Sequence, residues 1–297
     1  NTDWLEVYYD GQDYTSMPST ITDKSGNGLT GTPTNVTFDS TWKAFSFDGS
    51  GDDIQSGNIG LSGDQSITVS LWFRYNSIPA GRQDIFGVGK PGTATQFGIA
   101  TYTPGTYLYT GGNDIYNTSY DLVTDMNWHH ITAVYRGGTP STTTMALYLD
   151  SVNIVSQLLS SSASQAANFD SSNCKAFLGN NANVAAALNG KIANFRLFNR
   201  ALTADEVWQL YAYQKDYFQV SPDVVTFKGG RLGIGTTEPK AVLDVKGSIH
   251  ANGHPAWPAP TAQFYKKSMG TANQSYYENI THTGRIDLDN TIRETPG

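Results

Sequence analysis

Between Ile67 and Arg74 an apolar side chain recurs at every second position, Ile67, Val69, Leu71 and Phe73 alternating with Thr68, Ser70, Trp72 and Arg74. A period of two is that of an extended strand with one buried face, whereas a helix repeats its apolar residues three and four apart. Met145, Leu147 and Leu149 repeat the pattern. Turn-forming clusters separate such runs, among them Ser25-Gly26-Asn27-Gly28, Gly49-Ser50-Gly51-Asp52 and Gly111-Gly112-Asn113-Asp114. The spacing predicts a multi-strand antiparallel sandwich rather than a parallel sheet with crossover helices. The acidic residues agree with this. Of 26, only Glu6, Glu206, Glu238, Glu278 and Glu294 are glutamates, and aspartate suits turns and oxygen-ligand metal sites better than helices. One helix is expected over 204–213, where Thr203 and Glu206 have the spacing of a capping box ahead of Val207, Trp208, Leu210 and Tyr211. Trp72 falls on the polar parity of its strand, and burial is expected for it.

A chain of 297 residues suits one large β domain plus a smaller unit. With 15% charged and 12% aromatic residues it has the opposite balance to a disordered chain. Residues 1–212 carry 10 basic and 18 acidic side chains and residues 213–297 carry 9 and 8, which places a boundary near 212–222. The net charge of −7, without a Lys/Arg face, excludes nucleic acid as a partner. No run of about 18 apolar residues and no cationic, apolar leader is present, so a soluble chain without membrane insertion is expected. Beginning at Asn1, it is expected to be a processed or recombinant fragment. A single cysteine, Cys174, excludes an internal disulfide.

Six blocks then occur in one order: Asp23-Lys24-Ser25-Gly26-Asn27-Gly28, Ala44-Phe45-Ser46-Phe47-Asp48-Gly49, Ile67 to Phe73, Trp128-His129-His130-Ile131, Leu147-Tyr148-Leu149-Asp150, and Gly190-Lys191-Ile192 through Phe198-Asn199-Arg200-Ala201-Leu202. Together they resemble the laminin-G-like, concanavalin-like jelly rolls. The resemblance implies an all-β fold of two curved antiparallel sheets packed face to face, whose members are mostly glycan-binding or adhesive modules and sometimes hydrolases. A second resemblance lies in Gly230-Arg231-Leu232-Gly233-Ile234-Gly235-Thr236-Thr237-Glu238-Pro239 followed by Val242-Leu243-Asp244-Val245-Lys246-Gly247. It is similar to a segment of phage tail fibres and of surface proteins of large DNA viruses, often ahead of a trimerising region. The expected organisation is a jelly roll over 1–212, a small β-rich stalk or linker over 213–254, and the start of a further region over 255–297.

Hydrolases on this sandwich pair carboxylates on neighbouring strand positions. The five glutamates share no strand, and Asp121 with Asp125 reads as a turn, so no catalytic residue is expected. His129 and His130, adjacent on a strand, point to opposite faces and do not suit one metal. Calcium is the cofactor expected, with Asp48, Gly49, Asp52 and Asp53 supplying oxygens at a Gly/Asp turn. Relatives carry a further carboxylate where this chain has Ala193, leaving the neighbouring Asn194 as a neutral ligand. For a sugar, aromatic faces and planar polar groups are needed. Tyr107, Tyr109, Asn113, Asp114 and Tyr116, flanked by Tyr102 and Tyr120, concentrate both.

The function expected is that of a non-enzymatic virion surface or fibre protein, located on the virion surface or extracellular. Its lectin-like domain would recognise a cell-surface glycan or glycoprotein, and its tail would form a homotrimer among other virion proteins. The alternatives are a purely structural capsid or fibre decoration protein and a polysaccharide-degrading enzyme.

Overall fold

In the computed structural model the described residues are 4–102, 104–181, 183, 186–218, 225–234, 236 and 239–245, together with the backbone of two short strands near the C-terminus. The chain divides into two compact units, Asn1–Val220 and Ser221–Gly297.

The first unit is a sandwich of two eight-stranded sheets in which every strand pair is antiparallel. Ile67–Tyr75 and Asn189–Phe198 form the centre of the first sheet. His129–Tyr135, Met145–Leu149 and Val152–Asn153 follow on one side. On the other side Asn189–Phe198 is shared, Ala44–Asp48, edged in turn by Thr37–Asp39, pairing with its first half and Leu5–Tyr9 with its second. The second sheet runs in the order Ser160–Ser161, Ile115–Asn117, Gly105–Tyr109, Gln96–Tyr102, Gln83–Gly89, Lys175–Leu178, Asp53–Gln55 and Thr32–Thr34. The expected all-β sandwich is thus the fold of this unit.

Alternation decides what lies between the sheets. Ile67, Val69, Leu71, Phe73 and Tyr75 point inward with Phe45, Phe47, Phe195 and Leu197, and meet Val88, Phe97, Ile99 and Leu108 of the second sheet in one buried cluster. At about 25 cal/mol per Å2 of apolar area, this cluster is the main stabilising contribution. Asp23 ties the Gly-rich loop to the first strand, its carboxylate accepting from the backbone N–H of Tyr8, Ser25 and Leu29 at 2.9–3.0 Å.

The opposite parity of the first sheet is buried as well. The helix Ala204–Ala212, closed by the Thr203–Glu206 capping box, and the short turn of helix Lys215–Phe218 cover it. Trp72 is fully buried there, donating from Nε1 to Gln214 Oε1 at 2.7 Å and stacking on Phe218 at 4.6 Å between ring centroids. Packing therefore carries the first unit beyond Ala212, because Phe218 closes the face that the strand's alternation left open.

In the second unit Val225–Lys228 and Arg231–Ile234 form a hairpin through Gly229 and Gly230, both at positive φ, as a two-residue turn demands. Leu243–Val245 adds in parallel to Arg231–Ile234. Gly284–Ile286 pairs with Ile292–Glu294. Residues 246–254 of the expected stalk and the remainder of 255–297 lie outside the described residues.

Candidate functional site

On the outward face of the second sheet the residues that alternate with the core are small at the centre and aromatic at one side. Gln96, Gly98, Ala100 and Tyr102 lie on that face, while Phe97 and Ile99 fill the core. Gly98 stands opposite Tyr109 on one neighbour and opposite Gly87 on the other. The Tyr109 ring lies over both glycines, so that a Cβ added at Gly87 would come within 3.2 Å of its hydroxyl oxygen. That hydroxyl donates to the Phe86 carbonyl at 3.3 Å. Ala100 leaves a hollow beside this ring, and Tyr107, opposite Ala100, walls it. Tyr107 stacks on its cross-strand partner Tyr116 with centroids 4.9 Å apart and planes 6° apart, and meets Tyr102 at 4.9 Å.

The result is a groove of about 390 Å3 lined by Arg82, Gln96, Ala100, Tyr102, Tyr107, Tyr109, Asp114 and Asn183 and by the loops at Gly92–Thr93 and Gly111–Gly112. Arg82 is fixed in it by a two-pronged ion pair: Nε and Nη2 donate to the carboxylate of Asp84 at 3.0 and 2.9 Å. Asp84 is fully buried and also accepts from Asn181 Nδ2 at 2.8 Å. Burial pushes its carboxyl above the usual range, while Arg82 and Asn181 pull the other way. The guanidinium sits 5.6 Å from the Tyr109 ring centroid. Asp114, half-buried and holding the Gly112 N–H at 3.1 Å, is likewise raised by desolvation.

Of the residues expected to bind a ligand, Tyr107, Tyr109 and Asp114 line the groove, and Tyr116 backs its aromatic wall. Asn113 does not face it. Its Oδ1 is spent on the N–H and hydroxyl of Ser164 at 2.9 and 3.1 Å, which pins the neighbouring loop. Arg82, Gln96 and the two glycines are absent from the expected set. Only the Arg82/Asp84 pair, two apart and so on one strand face, offers a sequence signal for them.

The Gly/Asp turn is brought together in part. Asp48 is exposed and accepts the Ser50 N–H, and its own N–H donates to Asp52 Oδ2 at 2.5 Å. Gly49, at positive φ, lies against Asn189. Asp52 and Asp53 are both buried, each with one carboxylate oxygen that has no hydrogen-bond partner. Burial, with the neighbouring carboxylates of Asp48 and Asp53, raises the Asp52 carboxyl, against the Asp48 N–H that lowers it. Asn194 is elsewhere. Asp48 pairs with Asn189, and Asn194 lies five positions further along that strand, roughly 16 Å at the rise of a strand. Among the described residues no three His, Cys, Asp or Glu side chains gather as a metal would require. A hard cation, with carbonyls or water as its remaining ligands, would satisfy the two unused buried oxygens of Asp52 and Asp53.

His129 and His130 point to opposite faces. His130 is buried with Nε2 2.9 Å from Ser70 Oγ, and His129 bridges Asp150 and Asp125 at 2.7 and 3.0 Å. Asp121 accepts the Gly105 N–H and Asp125 the Asn127 N–H, so both serve turns.

Comparison with solved structures finds domain 4 of AbnA, a GH43 extracellular arabinanase from Geobacillus stearothermophilus, in complex with arabinotriose. The two are 20% identical with a TM-score of 0.52, over 70% of this chain and 98% of that one. The ligand-binding domain of botulinum neurotoxin serotype D in complex with N-acetylneuraminic acid matches at 14% identity and a TM-score of 0.51, over 75% of this chain and 53% of that one. This chain therefore spans about half the length of the neurotoxin domain. At such identities the likeness is one of fold. No curated protein sequence matches the chain. The model of the concanavalin A-like lectin/glucanases superfamily matches residues 48–208, more than half of the sequence and most of both sheets. The chain belongs to the concanavalin A-like lectin/glucanase superfamily.

Proposed function

We propose that this protein is a non-enzymatic, lectin-like module whose second-sheet groove recognises a cell-surface glycan or glycoprotein. The observation that carries the reading is the aromatic wall of Tyr102, Tyr107 and Tyr116 beside a fixed guanidinium and a carboxylate. An aromatic face receives the C–H side of a sugar ring while planar polar groups orient its hydroxyls. The arrangement is preorganised. Arg82 is locked by Asp84, and Tyr109 is held down on glycine, so little side-chain entropy is lost on binding. That the arabinanase and neurotoxin domains of this fold were solved with sugars supports the same reading. Catalysis has no candidate pair, since Asp121 and Asp125 both serve turns. Probing a glycan array with the full chain tests the proposal. Binding to a defined subset, with no release of reducing sugar from those glycans, is expected; an array without any binding overturns it.

The wider reading is a virion surface or fibre protein, active outside the cell, whose tail joins three copies and contacts other virion proteins. The fibre-like segment of residues 230–247 supports it, and so does the sheet it forms. Phe227 is 82% and Val242 79% exposed, with Val225 and Leu243 at least half exposed, which suits burial against further copies. Calcium belongs to the same proposal, held by Asp52 and Asp53, where it would neutralise two buried carboxylates and fix the turn between two strands.

A further inference from the structure

The polar groups of the groove are unevenly matched. Gln96 is 4% exposed, and its Nε2 donates to the Gly92 carbonyl at 3.4 Å, but its Oε1 has no hydrogen-bond partner. A buried acceptor without a donor costs free energy that a ligand hydroxyl would recover. The charges are uneven too. Arg82 is the one cation lining the groove among the described residues, and two of its nitrogens are committed to Asp84, so that pair carries no net charge. Asp114 then leaves the site with one unbalanced negative charge. Its carboxylate is already partly desolvated by its surroundings.

A carboxylate- or sulfate-bearing sugar in such a groove loses its water, meets Asp114 and finds only a guanidinium whose charge Asp84 already balances. A neutral sugar brings only hydroxyls, which can donate to Gln96 Oε1 and to Asp114 while the ring rests on tyrosine. We propose, on the reading of the groove given above, that it selects uncharged glycans over acidic ones, with Gln96 Oε1 accepting a hydroxyl of the bound sugar. Specificity then comes as much from rejecting anions as from the contacts made.

The test is titration of the full chain with matched pairs, lactose against sialyl-lactose and oligogalactose against oligogalacturonate, extended by an array carrying neutral and acidic glycans. The expected result is binding of neutral members, with the acidic member of each pair weaker by about tenfold or more. Gln96→Met, similar in size but without the acceptor, should lose about tenfold for the neutral ligand while still melting cooperatively as a folded protein. Acidic glycans that bind as well as their neutral partners, through contacts abolished by Tyr107→Ala, overturn the selectivity while leaving the groove as the binding site. Binding that Tyr107→Ala leaves intact overturns the groove itself, and with it this inference. The selectivity is read on the unaltered protein, so it does not depend on the fate of the Gln96 variant.

Discussion

The ring of Tyr109 occupies the space that a side chain at Gly98, its cross-strand partner, would need. Glycine in a strand interior ordinarily weakens it, but here it lets an aromatic ring lie flat on the sheet and become the floor of a groove. Gly98→Val should expel that ring and also press on the Phe86 carbonyl, cost about 3 kcal/mol or more through overpacking and abolish sugar binding. Urea denaturation of wild type and variant checks it; a variant of unchanged midpoint and unchanged binding would show that the floor is not built this way.

Removal of calcium should destabilise the first unit. An ion bound only to the native state adds RT ln(1 + [L]/Kd), about 2.7 kcal/mol at a hundredfold excess, which for a unit of this size shifts the melting temperature by about 5–10 °C. Thermal melts with and without chelator should show that shift, and Asp53→Asn should erase the difference. Equal melts, with no metal by elemental analysis, would sink the assignment to Asp52 and Asp53.

Acid should weaken the fold through His130. Burial pushes this imidazole down to about 3, from 6.5 in the unfolded chain. Between those values the unfolded chain binds a proton that the native one refuses, so stability falls as pH drops from 6.5 towards 3, by on the order of several kcal/mol in full. His129 acts with the opposite sign. Burial disfavours its charge, but Asp150 and Asp125 outweigh that and raise it, so its contribution is complete below pH 6.5 and is lost as pH rises through the raised value. Denaturant midpoints of wild type and His130→Gln between pH 4 and 8 separate the two: the variant should lose most of the acid sensitivity, and parallel profiles would contradict the account.

The tail should hold three copies together. Light scattering of the full chain is expected to give about three times 32.2 kDa, and Phe227→Asp, which places a charge on an exposed apolar strand, should return the monomer mass. A monomeric wild type in dilute solution excludes the trimer.

Much of the fold was legible because alternation and burial coincide: Ile67 to Phe73 read as a half-buried strand, and those residues fill the core. Trp72 shows where this stops. Its polar parity marks an outward face, but nothing within the strand reveals that Phe218 and Tyr211, some 140 positions later, cover it. The groove was legible to the same degree. A run of tyrosines marked the wall, yet Asn113 proved to be a loop pin, and Gln96 and Arg82 escaped notice because only the pairing of the strands brings them into one groove with Tyr107. Asn194 was misplaced for the same reason, since neighbourhood to Asp48 depends on which residue of the strand pairs with it.

The central claim is that sugar binds across the Tyr107 face of the second sheet. Titration of one array-selected glycan into wild type, Tyr107→Ala and Trp208→Ala tests it most directly, because Trp208 is exposed on the helix that covers the other sheet. The account predicts that Tyr107→Ala loses at least about tenfold in affinity, while Trp208→Ala binds as wild type does. Full affinity in Tyr107→Ala, or loss in Trp208→Ala alone, would contradict it.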